Sequence, residues 1–284
     1  MRAHFFDIGA IISADSKAWI VDKKDPKTPI LKVSESDFNL IRSGIYKSHG
    51  NRIKFAGKEY WLPEDIMSTL KIRCKKLNKD VSELAFSMRE YMDREVIDTL
   101  EYGINMENLS LIKNYTDDIY VICSSNTKEN YSKIIGKIEG KLEAIGLKIK
   151  KYYFISETFY ERDADDISHK KARLVLQHLL GMKTSGDRLS EEVLDSYSEI
   201  RFYDDDARSV KAVEDINSLL KLVLDNSEDS LKKAAKERIS QERPSVVASV
   251  VTPNKVNRLS SKKIDLDVQN IARTFESFSR YYRK

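Results

Sequence analysis

Short unbroken apolar runs alternate along this chain with longer stretches in which apolar residues recur every three or four positions. Ala3 to Ile12 reads as a buried strand interrupted at Asp7-Ile8-Gly9, where the glycine lets the backbone turn or approach a ligand. Short β-like runs follow at 18–21, 29–33, 52–55 and 59–62, the last two as a hairpin around Ala56-Gly57-Lys58. From Pro63 the period becomes helical, with Ile66, Leu70 and Cys74 on one face. A second helix is predicted from Asp80 with a stripe of Leu84, Met88 and Tyr91. Helical character then continues to about Leu100 and recurs over 106–112.

Beyond residue 118 a strand-helix rhythm sets in. Ile119 to Cys123 is an apolar strand of the kind covered on both faces, ending at Ser124-Ser125-Asn126. A helix follows with Tyr131, Ile134, Ile138, Leu142 and Ile145 on one stripe and Gly146 as its stop. Tyr152 to Ile155 is the next strand. An acid-rich loop, 161–166, leads to Ser168 as N-cap of a helix carrying Ala172, Val175, Leu176 and Leu179. Leu189 to Leu194 reads as a short helix. A strand then ends abruptly in Asp204-Asp205-Asp206, and a helix follows with Val210, Val213, Ile216 and Leu220. Residues 222–224 fit either a strand or more helix. Alternation of this kind implies right-handed crossovers and a parallel sheet. The fold class expected is α/β: a Rossmann-like three-layer core from 1–14 and 101–226, with an α+β insertion at 15–100 and a C-terminal helical extension at 227–284. In that extension 230–239 reads as a charged helix and 244–261 shows no period. Ile264, Val268, Ile271, Phe275, Phe278 and Tyr282 form one helical seam, which could dock on the domain, self-associate or grip a protein partner.

The 284 residues are 41% hydrophobic and 33% charged, enough for a sizeable core. No apolar run approaches the ~20 residues of a membrane span, and no signal-peptide pattern opens the chain, so a cytoplasmic location is expected. Cys74 and Cys123, far apart in apolar settings, read as buried thiols. The net charge is +4, but residues 241–284 carry nine Lys/Arg against four Asp/Glu. The body is therefore close to neutral, and nucleic-acid binding is not expected of it. His4 reads as a packed core residue and His169 as a solvated helix start. His49 and His178 show no zinc-ligand spacing. Trp19, Tyr60 and Trp61 read as core of the insertion or as an aromatic substrate wall.

Acids at the ends of two strands, Asp7 and Asp204–Asp206, would share the carboxyl edge of one sheet, where α/β sheets bind ligands. Three adjacent carboxylates repel one another unless they are solvated or hold a cation. With Ser124 at another strand end and Lys170-Lys171 at a helix start, the order and residue types resemble the haloacid dehalogenase (HAD) superfamily, over roughly 1–14 and 104–225. The resemblance implies a phosphotransferase-like site: Asp7 as nucleophile, Ser124 on a phosphoryl oxygen, and Lys171 or Lys170 as charge partner. It also implies Mg²⁺ held by Asp7, the Gly9 backbone carbonyl and Asp204 or Asp205, and a small phosphorylated substrate. The chain departs from the family at Gly9, where its phosphatases usually carry a second Asp as general acid. The departure leaves a phosphatase or phosphotransferase acting on an easily displaced leaving group, another family chemistry that uses only the Asp nucleophile, or a degenerate member that binds without turnover. The functional expectations are therefore a Mg²⁺-dependent hydrolase, or a weak or inactive scaffold acting through its insertion and tail. In texture, rich in Lys, Asn and Asp, the chain looks like proteins of large tailed bacteriophages, which would place it in a host cytoplasm or a virion.

Overall fold

The computed structural model describes residues 1–14, 17–34, 37–38, 41, 44–55, 58–87, 97–98, 100–112, 116–124, 127–155, 167–252 and 255–267. Two compact units are present. The first comprises Met1–Ile11, Met106–Ser125 and Ile145–Lys284, the second Ile12–Asn105 and Asn126–Ala144.

The chain opens with β1 (Arg2–Asp7) and a single turn, α1 (Ile8–Ile11). The second unit then supplies β2 (Ile12–Ala14), β3 (Lys17–Asp22), β4 (Asp25–Ser34), β5 (Asn51–Phe55), β6 (Lys58–Leu62), α2 (Glu64–Leu77), β7 (Leu84–Ser87) and β8 (Tyr102–Ile104). The first unit resumes with α3 (Met106–Leu109) and β9 (Asp118–Cys123), and the second reclaims α4 (Lys128–Ala144). From there the first unit runs through β10 (Lys151–Phe154), α5 (Ile167–Leu180), β11 (Met182–Ser185), β12 (Arg188–Val193) and β13 (Glu199–Asp204). It ends with α6 (Ala207–Glu214), α7 (Ile216–Asn226), α8 (Asp229–Glu242), β14 (Ser245–Thr252) and β15 (Lys255–Asp265). No described helix is long and apolar enough to cross a membrane.

A six-stranded sheet in the order β10-β9-β1-β13-β14-β15 organises the first unit, parallel throughout except for β15. This is a mixed α/β architecture with a mostly parallel sheet. The central strand β1 is buried from Ala3 to Asp7, which is why its sequence is continuously apolar rather than alternating. From β1 the chain steps outward through β9 and β10, then returns to the opposite side of β1 to lay down β13. The strand order therefore reverses between β1 and β13, the crevice that open α/β sheets present to ligands. One apolar layer joins Phe5, Tyr120, Ile200 and Phe202 of the sheet to Val175, Leu176 and Leu179 of α5 and to Val210, Val213 and Leu220 of α6 and α7.

The second unit holds a three-stranded sheet, β4-β3-β7, and the expected β5–β6 hairpin. Its core includes Ile20, Phe38, Phe55, Leu62, Leu70 and Cys74, with Tyr60 packed against it. Trp19 is buried, with the Lys32 ammonium 4.7 Å from its ring centroid. Trp19 and Tyr60 thus serve as core. Trp61 is half-buried, with Lys47 over its ring at 5.4 Å.

Several expectations are corrected. The helix expected from Asp80 is a strand after one 3₁₀ turn: Leu84–Ser87 pairs with β3, and Phe86 meets Phe38, Phe55 and Tyr60 edge-on. Aromatic cross-packing outweighs the weak helical stripe there. Met88 and Tyr91 lie outside the described residues. The short helix expected at 189–194 is strand β12, returned by a turn in which Gly186 has φ +55°, conformational space that glycine enters without strain. Ser168 is not an N-cap, because α5 already begins at Ile167. Residues 222–224 are helical.

The expected helical extension starts as helix α8, whose Ala235 and Ile239 join the main core, and then adds two strands to the sheet. β14 carries Val246, Ala248, Val250 and Val251, all buried between β13 and β15, so it shows no alternation to read. Ile264 lies on β15, not on a helical seam. Val268 to Tyr282 lie outside the described residues.

A polar clamp fastens α5 to the sheet. His178 is 1% exposed. Its Nδ1 lies 2.8 Å from the Asp195 carbonyl, which can only accept, so Nδ1 carries the proton and Nε2 accepts from the Tyr153 hydroxyl at 2.7 Å. Burial pushes His178 down to about 4, with the Asp195 carbonyl pulling the other way. An unfolded histidine binds its proton near 6.5. The unfolded chain therefore binds more protons than the folded one between those values. The stability tied to the neutral ring is complete above pH 6.5 and is lost as the pH falls to about 4. Urea unfolding at pH 7.5 and 4.5 checks this. Wild type should lose about 2 kcal/mol more on acidification than His178→Phe does. An equal loss in both would show that this ring does not titrate with unfolding.

Candidate functional site

Register brings the candidate residues together. Phe6 of β1 pairs with Tyr203 of β13, so the residues that end those strands, Asp7 and Asp204, finish side by side. On the other flank Asp7 lies opposite Ile122, and β9 gives way to Ser124. The helix that follows β10 begins near the same edge and delivers Lys171 one turn in. Four segments far apart in the chain thus meet at the switch point of one sheet.

Lys171 is the hub. Its Nζ donates to Asp7 Oδ1 and to Asp204 Oδ2, each at 2.7 Å. It is 3% exposed, Asp7 7% and Asp204 0%. Ser124 Oγ donates to Asp7 Oδ1 at 3.1 Å, and the Gly9 N–H donates to Asp7 Oδ2 at 2.9 Å. The Asp206 N–H donates to Asp204 Oδ1 at 2.9 Å. Asp7, Asp204 and Asp205 each offer an oxygen within 4.8 Å of the others.

The electrostatics are unbalanced. Burial alone would lower the Lys171 pKa, but Asp204 and Asp7 outweigh it and hold the ammonium above the ordinary lysine value. Burial drives Asp204 well above the carboxylate range; Lys171 opposes this, while Asp7 and Asp205 add to it. With all three carboxylates ionised, one ammonium leaves two negative charges uncompensated. That is the charge of one divalent cation. Two oxygens on opposite sides of Mg²⁺ stand about 4.2 Å apart, so a triad whose oxygens all lie within 4.8 Å of one another could hold an ion. An all-oxygen donor set suits a hard cation.

Of the two lysines, Lys171 reaches the carboxylates. Lys170, one residue earlier on α5 and half-buried, is displaced about 100° around the helix from it. Of the three consecutive acids, Asp206 is spent elsewhere: its side chain caps α6 by accepting from the Arg208 N–H and pairs with the Arg208 guanidinium at 2.7 Å. Cys123 ends β9 beside Asp7, but burial pushes its thiol far up and Asp7 pushes further, so it is not a thiolate nucleophile. Both cysteines are buried and free, as expected. His4 is buried in the first strand, with Nε2 3.1 Å from Asp117, again as expected.

The residue-type reading missed a second polar network at the opposite edge of the sheet. Tyr197 donates to Asp118 at 2.6 Å and lies 2.5 Å from the Tyr120 hydroxyl, and Lys150 bridges Asp118 and Asp195 at 2.8 and 3.1 Å. Its members come from separate elements, so no spacing in the sequence announces it. No family model, curated protein or solved structure matches this chain.

Proposed function

We propose that the chain is a divalent-cation-dependent hydrolase of the haloacid dehalogenase-like class, with Asp7 as nucleophile toward a phosphorylated substrate. One observation carries this reading. A buried strand-end aspartate, two further carboxylates, a buried lysine and a serine hydroxyl converge where the strand order reverses.

In this reading Asp7, Asp204 and Asp205 would hold Mg²⁺, with the Gly9 carbonyl available as a backbone ligand. The ion supplies charge neutralisation between an anionic nucleophile and an anionic phosphoryl group. Asp7 attacks phosphorus. Lys171 keeps Asp7 oriented and offsets the negative charge of Asp7 and of the phosphoryl group. Ser124, within hydrogen-bond reach of Asp7, turns its hydroxyl to a phosphoryl oxygen. Splitting the displacement through an aspartyl-phosphate replaces one high barrier by two lower ones.

The test is hydrolysis of para-nitrophenyl phosphate by the full chain, with and without Mg²⁺ and against Asp7→Asn. The reading expects turnover that needs both the ion and Asp7. Turnover in neither condition would leave the fold as a scaffold, acting through its other surfaces.

A further inference from the structure

Only Asp205 and Asp206 separate the last residue of β13 from the first of α6. Both ends of this connection are held. At the strand end Asp204 pairs with Val250 of β14. At the helix end Val210 and Val213 anchor α6 in the main core. Asp206 belongs to the helix through two contacts. Its carbonyl accepts from the Val210 N–H at 3.2 Å, and its carboxylate Oδ1 accepts from the Arg208 N–H at 3.0 Å. The second contact satisfies one of the amides that a helix start leaves unpaired. The Arg208 guanidinium brackets the same carboxylate, with Nε 3.1 Å from Oδ1 and Nη2 2.7 Å from Oδ2. The Asp206 amide faces the other way and donates to Asp204 Oδ1 at 2.9 Å, while Lys171 donates to Asp204 Oδ2. One residue thus joins a helix fixed in the core to a carboxylate of the oxygen triad. Asp205, another member of that triad, is strung between two anchored neighbours.

Resting on the divalent-cation reading above, we infer that Asp206 is a positioning residue for the ion: its side-chain cap on α6 sets the aim of Asp204 and Asp205 without contributing an oxygen itself. A carboxylate with one oxygen on a fixed amide and the other on a buried ammonium is held in one orientation. Without the cap, α6 stays packed through Val210 and Val213, but the backbone at 206 is released and its amide leaves Asp204. The ligands must then be ordered as the ion binds, and that ordering costs affinity. The cap requires an acceptor, not a charge: asparagine and serine cap helices about as well as aspartate. A direct ligand role would require the carboxylate charge. The two roles are therefore separable at this one position.

The experiment is a Mn²⁺ titration of the full chain, read by the free-ion electron paramagnetic resonance signal, with thermal unfolding to confirm that each variant is folded at the titration temperature. Asp206→Ala should bind the ion about 10–100-fold more weakly than wild type, the usual effect of removing a group that orients metal ligands. Asp206→Gly also lacks the acceptor but costs a helix start little, so it should weaken binding likewise and serves where alanine fails to fold. Asp206→Asn and Asp206→Ser restore the acceptor and should bind within about threefold of wild type. Arg208→Ala removes an exposed ion pair but keeps the amide that the cap uses, and should also stay within about threefold. Alanine and glycine variants that bind as tightly as wild type would overturn the inference while leaving the divalent-cation reading intact. Asparagine and serine variants as weak as alanine would overturn it too, because the ion would then need the charge at 206 and not the cap. No binding by wild type would overturn the divalent-cation reading itself, and the inference with it.

Discussion

Replacing Lys171 by methionine should destabilise the fold by about 3–5 kcal/mol, the cost of removing one partner from a buried ion cluster. Methionine matches the lysine stem in length, so lost packing contributes little. What remains is the loss of the ammonium that sits 2.7 Å from both Asp7 and Asp204, neither of which has appreciable access to water. Urea unfolding at neutral pH measures the change. Lys170→Met, at the neighbouring half-buried position, should cost less than about 1 kcal/mol. Equal effects at the two positions would mean that Lys171 is not the counter-charge of the cluster.

Asp7→Asn should reduce aryl-phosphate hydrolysis by about 10³-fold or more, the scale seen when a nucleophile is removed. The fold should survive. Asparagine keeps an oxygen for the Gly9 amide, and Lys171 keeps its hydrogen bond to Asp204. Ser124→Ala should cost less, about 10²–10³-fold, because it removes one donor rather than the attacking atom. Parallel assays of the two variants, with thermal unfolding as a control for the fold, separate the roles. Residual activity in Asp7→Asn similar to that in Ser124→Ala would move the nucleophile elsewhere.

Much of this site was legible in the chain itself, and the reason is chemical. A strand that ends in an acid is visible because the apolar run stops at a charge, as at Phe6-Asp7 and Tyr203-Asp204. Helix starts are less visible. Lys170 and Lys171 stand side by side, and a shift of one residue in the helix start rotates each side chain by about 100°, so only coordinates choose between them. Strands buried on both faces hide differently. Val246 to Val251 shows neither period because the strand is buried within the sheet, so its sequence announces no element. Leu84–Ser87 and Arg188–Val193 fit helical spacing because so short a stretch holds too few apolar residues to fix a period, and their strand character comes from the strands they pair with. The His178 clamp is the extreme case. Its partners Tyr153 and Asp195 are 25 and 17 residues away, and only the packing of α5 on the sheet unites them.

The central claim is that three carboxylates at one sheet edge share a divalent ion. Titration with Mn²⁺, followed by the loss of its free-ion electron paramagnetic resonance signal, tests it directly. The account predicts one saturable ion per chain in wild type and binding weakened by about 10–100-fold in Asp205→Asn. Wild type and Asp205→Asn binding the ion equally well, or neither binding it at millimolar concentration, would contradict the account.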